Sequence, residues 1–296
     1  MLAIAGPTAS GKSALAMRVA EALDAEIVNA DALQVYSRLR VLTARPSETD
    51  LAHVPHHLYG HVDPSTAYST GQWTREAMEA IGEIAERGKR ALLVGGTGLY
   101  YRSLFNGIAH IPEPVEAARL KADALRESGA LMEEARRLDP VATERLSAPD
   151  PQRLHRIVAV ALGTDKPLSE WWADTQPLVP DYAALVVDVP REVLYRRIEA
   201  RFDDMLDAGA MEEAQGLAHL DPDLPALKAI GVAHLLAAAR GEMSVDEAID
   251  LSKRDTRRLA KRQMTWFRNQ HRHWPRVGWE ANPDDVVAAF LQAVPQ

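Results

Sequence analysis

Residues Gly6–Ser13 read GPTASGKS: a glycine, four residues, then Gly-Lys-Ser. That order and spacing suit the gripping of phosphate groups. Glycines let the backbone curl until its N–H groups face phosphate oxygens, and Lys12 adds a point charge. Ser13 offers a hydroxyl to Mg²⁺, and a following helix presents its positive end. The loop residues Gly6, Pro7, Thr8, Ala9, Ser10, Gly11, Lys12 and Ser13 are therefore assigned to a bound diphosphate or nucleotide. What becomes of the phosphate stays open at this point. A kinase passes a phosphoryl group on, an NTPase gives it to water, and a third kind of enzyme discards the diphosphate and keeps the carbon attached to it.

Two more polar residues follow apolar runs in the same manner, Asp31 after EIVN and Thr97 inside GGTG. Their setting points to strands. Leu2–Ala5, Glu26–Asn29, Ala91–Val94 and Ala184–Val187 are short apolar runs suited to strands buried on both faces. Helical text lies between them, at Lys12–Leu23, Thr74–Glu86 and Arg191–Leu206. Strands alternating with helices predict an α/β fold with a parallel sheet. The loop, Asp31 and Thr97 then meet at the carboxyl edge of that sheet, where open α/β sheets bind ligands. Between 112 and 170 strand signals vanish and Glu/Arg/Ala-rich helical text takes over. The expected division is a P-loop NTPase-like core of 1–111 and 171–296, interrupted by a helical insertion of 112–170.

Bulk properties narrow the class. The 296 residues are 47% apolar and 26% charged, ordinary for a globular chain. No apolar run approaches the ~20 residues of a membrane span. No export signal is visible, so a cytoplasmic location is expected. The absence of cysteine rules out disulfides, thiolate zinc sites and cysteine nucleophiles. The net charge of −8 argues against nucleic acid until its distribution is considered. Nine Lys or Arg stand against one Asp between Lys253 and Arg276, leaving about −16 on the rest. Charge polarised in this way is the footprint of a polyanion-binding face on an acidic body. Within that stretch Arg254, Arg258, Lys261, Arg268 and Arg272 recur at spacings that form one basic stripe on a helix, with Ala260, Met264 and Phe267 as an apolar stripe on another face.

DALQVYSRLRVLTARPS from Asp31, PHHL at 55–58 and GGTGLYYRSLFNG at 95–107 together resemble the tRNA dimethylallyltransferases. So do DPQRLHR (150–156), IEARFDDML (198–206), LKAIG (227–231) and LAKRQMTWFRNQ (259–270). The resemblance spans nearly the whole chain. It implies transfer of a dimethylallyl group from dimethylallyl diphosphate to N6 of the tRNA adenosine just 3′ of the anticodon, position 37, with Mg²⁺ as cofactor held through Ser13. It implies Asp31 as the base that takes the amino proton, with Thr97 and Arg201 as a polar pair flanking the reaction channel. By the same resemblance the anticodon stem-loop is contacted by Asp31, Ala32, Leu33, Gln34, Thr97 and Arg119. Gln152, Arg153, Leu154, His155 and Arg156 join them, as do Lys228, Ala229, Ile230, Gly231, Val232 and Ala233. A monomer is expected. The family usually has serine at the Ala32 position, and many of its members have tyrosine at Val232 and a basic residue at Ala233.

Parts of the sequence admit other readings. The loop alone would suit a small-molecule kinase of P-loop type, and related enzymes prenylate free adenine nucleotides. Neither accounts for the basic helix together with the RNA-gripping segments. The pairs His56–His57 and His271–His273 lack a third metal ligand and are read as packing or RNA contacts. Trp171 and Trp172 are read as core.

Overall fold

The four apolar runs become strands because each is covered on both faces. In the computed structural model they are β1 (Leu2–Ala5), β2 (Ala25–Asn29), β4 (Arg90–Gly95) and β5 (Ala183–Asp188). The structure describes residues 1–109, 111–146, 148–164, 166–172 and 175–293. Two short strands complete the sheet, β3 (His56–His57) and β6 (Arg276–Gly278). The order is β3-β2-β4-β1-β5-β6, and every pairing is parallel. From β1 the chain moves outward to β2 and β3, returns to β4, and only then crosses to β5 on the other side. The central strand β1 is thus the switch point, and the phosphate loop follows it directly.

The sheet core is built from Leu2, Ile4, Ile27, Leu92, Val94, Leu185 and Val187, closed by Val19 and Leu23 of the Lys12–Leu23 helix and Leu194 and Ile198 of the Arg191–Asp207 helix. The helix preceding β4 spans Thr70–Glu86, one turn longer than its apolar spacing indicated. Ser69 and Gln72 cap it reciprocally, which sets the earlier start. Its Trp73 is fully buried, stacks on Tyr100 at 3.9 Å and donates its indole N–H to Asn29 O at 2.9 Å. That bond fixes the exit of β2, two residues before Asp31.

The chain divides into two compact units, Met1–Tyr101 with Val179–Gln296, and Arg102–Leu178. The second is helical and has its own core, in which Ala122, Leu131, Ala135, Leu154, Ile157, Val158 and Val160 are buried. Trp171 and Trp172 pack against that core, with Lys166 and Arg145 lying over their rings. No described helix is long and apolar enough to cross a membrane.

Candidate active site

The phosphate loop has the backbone that its sequence requires. Ala9 and Gly11 sit at φ 61° and 88°, turning successive N–H groups inward. Gly11 caps the Lys12–Leu23 helix without any side-chain hydrogen bond, and no acidic residue stands in the first turn. The first N–H groups are thus left for an anion, with no carboxylate competing. Ser10 Oγ is buried beside Gly6 and has no hydrogen-bond partner among the described residues, while Ser13 is exposed. Lys12 Nζ donates to Pro7 O at 3.3 Å, and burial pushes its ammonium down to about 8, against the pull of Asp31 and with a further push from Arg201.

Three side chains brace the loop from elsewhere in the chain. Arg201, on the Arg191–Asp207 helix, donates to Thr8 Oγ1. Burial lowers its guanidinium, and Asp31 opposes that shift. One turn earlier, Arg197 donates to Ser10 O at 3.4 Å with its guanidinium over the Trp279 ring at 4.1 Å. Gln263, on the Val245–Gln270 helix, accepts the Thr8 N–H at 2.9 Å and donates to Gly96 O at 3.0 Å.

Asp31 is held by a compact turn. Asn29 Oδ1 accepts the Asp31 N–H at 2.8 Å, and Asn29 Nδ2 donates to Asp31 O and Leu58 O. Asp31 Oδ1 accepts the Leu33 N–H at 3.0 Å. Among the described residues, no hydrogen bond is made to Asp31 Oδ2. Thr97 Oγ1 accepts the Ala32 N–H at 2.9 Å, so the bond at this position is one that any residue supplies. Close approach explains the glycines around Thr97: a Cβ on Gly95 would lie 2.1 Å from Ala30 O, and one on Gly98 would lie 2.0 Å from the Trp266 ring.

Asp31, Thr8 and Arg201 line one cavity whose remaining wall is mostly apolar, including Leu33, Leu42, Ile198, Phe202, Met205, Ile230 and Leu259. Two charged side chains, Asp31 and Arg201, thus share the cavity with a mostly hydrocarbon wall, an environment for a ligand that is part polar and part apolar. Ala229 also lines it, and Gly231 (φ 98°) turns the LKAIG segment against Leu42 and Phe202. Lys228 and Ala233 are exposed, whereas Val232 is fully buried. Gln34 is half-buried, and its Nε2 is already held by Thr43 O and Ala44 O.

The helical unit carries the other assigned residues. Gln152, Arg153 and Arg156 are exposed at the start of the Pro151–Thr164 helix, and Leu154 points into that unit's core. Arg153 lies 3.4 Å from Asp150, His155 lies 3.3 Å from Asp123, and Arg119 pairs with Glu113 at 2.6 Å.

The basic stripe differs from its sequence expectation in two ways. The helix ends at Gln270, so Arg272 lies beyond it. Its first half is also largely paired: Lys253 with Asp203, Arg257 with Glu199, and both Arg254 and Arg258 with the one carboxylate of Asp255. Lys261, Arg262 and Arg268 are exposed, and no described acid pairs with them. Ala260 and Phe267 anchor the opposite face and are fully buried. His57 bonds Glu26 and His271 stacks on Trp274, both packing roles. Among the described residues no three His, Asp or Glu side chains gather as a metal cluster.

Sequence reasoning missed Asn29 and Gln263 as site residues. An Asn two residues before the strand-end Asp is a turn signal available in the sequence. Gln263 gives no local sign of its role, which exists only through contact with Thr8.

A parallel sheet with a phosphate loop after its central strand, and a carboxylate and an arginine facing that loop, defines a P-loop α/β protein. Residues 34–270 match the family model described as IPP transferase, and residues 1–59 match that described as Isopentenyl transferase. The chain belongs to the IPP transferase family. It is 51% identical over 284 residues to the tRNA dimethylallyltransferase of Maricaulis maris, covering 94% of this chain and 92% of that protein. Among solved structures it is similar to a tRNA isopentenylpyrophosphate transferase from Bacillus halodurans (31% identity, TM-score 0.72, covering 97% of this chain and 93% of that one). It is also similar to a eukaryotic dimethylallyltransferase acting on tRNA (26% identity, TM-score 0.86, covering 100% and 80%).

Proposed function

We propose that this chain transfers a dimethylallyl group from dimethylallyl diphosphate to N6 of adenosine 37 in tRNA, releasing diphosphate. One observation carries the reading: Asp31, Thr8 and Arg201 share a single cavity with an apolar wall, beside a loop built for phosphates. A phosphoryl group alone gives no reason for that wall; an allyl chain and a flipped adenine that share it do.

The adenine amino nitrogen is a poor nucleophile because its lone pair is delocalised into the ring. In the proposed step that lone pair forms a bond to the allylic carbon, and the carbon–oxygen bond breaks with its electrons leaving on diphosphate. The amino proton passes to Asp31, whose Oδ2 accepts no hydrogen bond among the described residues. Lys12, Arg201 and the loop N–H groups take up the charge growing on the leaving group. Thr97 fixes the Ala32 backbone, next to Asp31, and so holds the base in place.

The loop also fits Mg²⁺. Ser13, exposed in the first turn of the Lys12–Leu23 helix, would be the residue to hold it, with diphosphate and water supplying the other oxygens, the pattern this ion favours where no carboxylate cage is built. Bound there, the ion would add Lewis-acid stabilisation to the departing diphosphate.

An anticodon-loop adenosine is unpaired, so extruding it into the cavity costs less than opening a duplex. The Asp31–Gln34 segment and the turn of Lys228, Ala229, Ile230 and Gly231 meet the flipped nucleotide. Arg119, Gln152, Arg153 and Arg156 of the helical unit take the surrounding RNA, with Ala32, Leu33, Leu154, His155, Val232 and Ala233 shaping these segments. We assign the protein to the cytoplasm as a monomer.

The test is to incubate the purified protein with unmodified tRNA and either prenyl-labelled dimethylallyl diphosphate or γ-labelled ATP. Label entering RNA from the prenyl donor, with one diphosphate released per transfer, is the expected result. Label moving only from ATP to a small acceptor would overturn the reading.

A further inference from the structure

Glu213 lies on the short Ala210–Gln215 helix, outside every segment given a role above. Its Oε2 accepts the backbone N–H groups of Arg40 and Val41, both at 2.7 Å, and its Oε1 accepts that of Leu42 at 2.8 Å. Three successive N–H groups turned to one side form an anion-binding concavity. Here the chain fills it with its own carboxylate.

The loop gripped in this way, residues 37–45, is tied at both ends. Gln34 Nε2 holds Thr43 O and Ala44 O at 2.8 and 3.0 Å, and Arg45 holds Tyr36 O and Ser37 O at 3.0 and 3.2 Å. Leu42 and Thr43 project into the cavity that contains Asp31 and Arg201. Leu42 also meets the LKAIG turn, where a Cβ on Gly231 would lie 3.0 Å from Leu42 Cδ2. One carboxylate therefore sets the spacing of three segments around the cavity.

We propose that Glu213 is a positioning residue for the acceptor nucleotide. By clamping the N–H groups of residues 40–42 it holds the Leu42–Thr43 wall, and through Thr43 it holds Gln34, in the shape that seats the flipped adenine. The inference rests on the proposed function. The phosphate loop is braced separately by Arg197, Arg201 and Gln263. Loss of the clamp should therefore be felt by the RNA and not by the diphosphate. Charge-assisted bonds of this kind are about twice as strong as neutral ones. Glu213→Gln can keep one oxygen on Arg40 and Val41 but turns an NH₂ toward the Leu42 N–H, so its effect should be intermediate. Glu213→Ala loses all three bonds.

The experiment measures steady-state transfer with each substrate varied, alongside amide hydrogen exchange at residues 40–42, in the full-length wild type, Glu213→Gln and Glu213→Ala. Expected are faster exchange at those amides and a KM for tRNA raised about tenfold in Glu213→Ala and less in Glu213→Gln. Both kcat and the KM for dimethylallyl diphosphate should stay within about twofold of wild type. Faster exchange with unchanged tRNA KM would overturn the proposal, as would unchanged exchange or equal losses for both substrates. A wild-type protein that transfers no prenyl group defeats the reading of function instead; exchange at 40–42 still reports on the clamp.

Discussion

Gln263 Oε1 stands 2.9 Å from the backbone nitrogen of Thr8, 255 residues away in sequence. Its Nε2 reaches Gly96 O, so a single buried amide joins the phosphate loop to the end of β4. Removing it leaves a part-buried donor at Thr8 and a buried acceptor at Gly96 unpaired, the buried one costing about 1–3 kcal/mol. Gln263→Ala should therefore lower stability by about 2 kcal/mol or more and weaken dimethylallyl diphosphate binding. Gln263→Glu should keep the bond to Thr8 and set a carboxylate oxygen against Gly96 O. Denaturant unfolding and donor titration check this; an alanine variant with wild-type values in both would remove Gln263 from its bracing role.

The lowered ammonium of Lys12 gives a pH signature. Burial brings it down to about 8 in the free protein, and only the charged form attracts diphosphate. As pH rises through about 8 the charged fraction falls, so kcat/KM for dimethylallyl diphosphate should drop, approaching tenfold per unit above that point. Bound diphosphate favours the charged ammonium, so kcat at saturating donor should hold to higher pH. Rate profiles from pH 6.5 to about 9.5 test the sign. A kcat/KM that stays flat across that range would contradict it.

The long basic helix should bind RNA unevenly. Arg254 and Arg258 already share Asp255, whereas Lys261, Arg262 and Arg268 are exposed with no described acid beside them. Neutralising the latter three should flatten the salt dependence of tRNA binding by about one unit of slope per lost phosphate contact. Neutralising Arg254 and Arg258 should change the slope less. Filter binding between about 50 and 200 mM salt separates the two sets, and equal slopes for both variants would refute the division.

The parts of the molecule legible in its sequence are those with local causes. Leu2–Ala5 and Lys12–Leu23 match their elements end to end, because a buried apolar run and a four-residue apolar spacing are each self-declaring. The strands β3 and β6, of two and three residues, lie at the sheet edges, too short to leave a pattern. Thr70 begins its helix four residues ahead of the first apolar spacing because the capping pair Ser69 and Gln72 acts through hydrogen bonds rather than burial. Within the site, the loop and Asp31 follow strands and could be placed by counting. Gln263 and Glu213 could not: each matters only through backbone groups more than a hundred residues away. Pairing of Arg254 and Arg258 with Asp255 was written in their spacing, yet spacing alone did not decide between that acid and RNA.

In the proposed reaction a proton leaves the adenine amino group for Asp31 while the phosphate loop receives the leaving group. The most direct measurement is the single-turnover rate of prenyl transfer by Asp31→Asn at saturating tRNA and dimethylallyl diphosphate, with tRNA affinity determined on the same protein. The substitution keeps the side chain's shape and its bond to the Leu33 N–H, and removes only the base. A rate lowered about 10²–10⁴-fold with tRNA affinity nearly unchanged is the predicted result. A variant that transfers within about twofold of wild type would contradict the account.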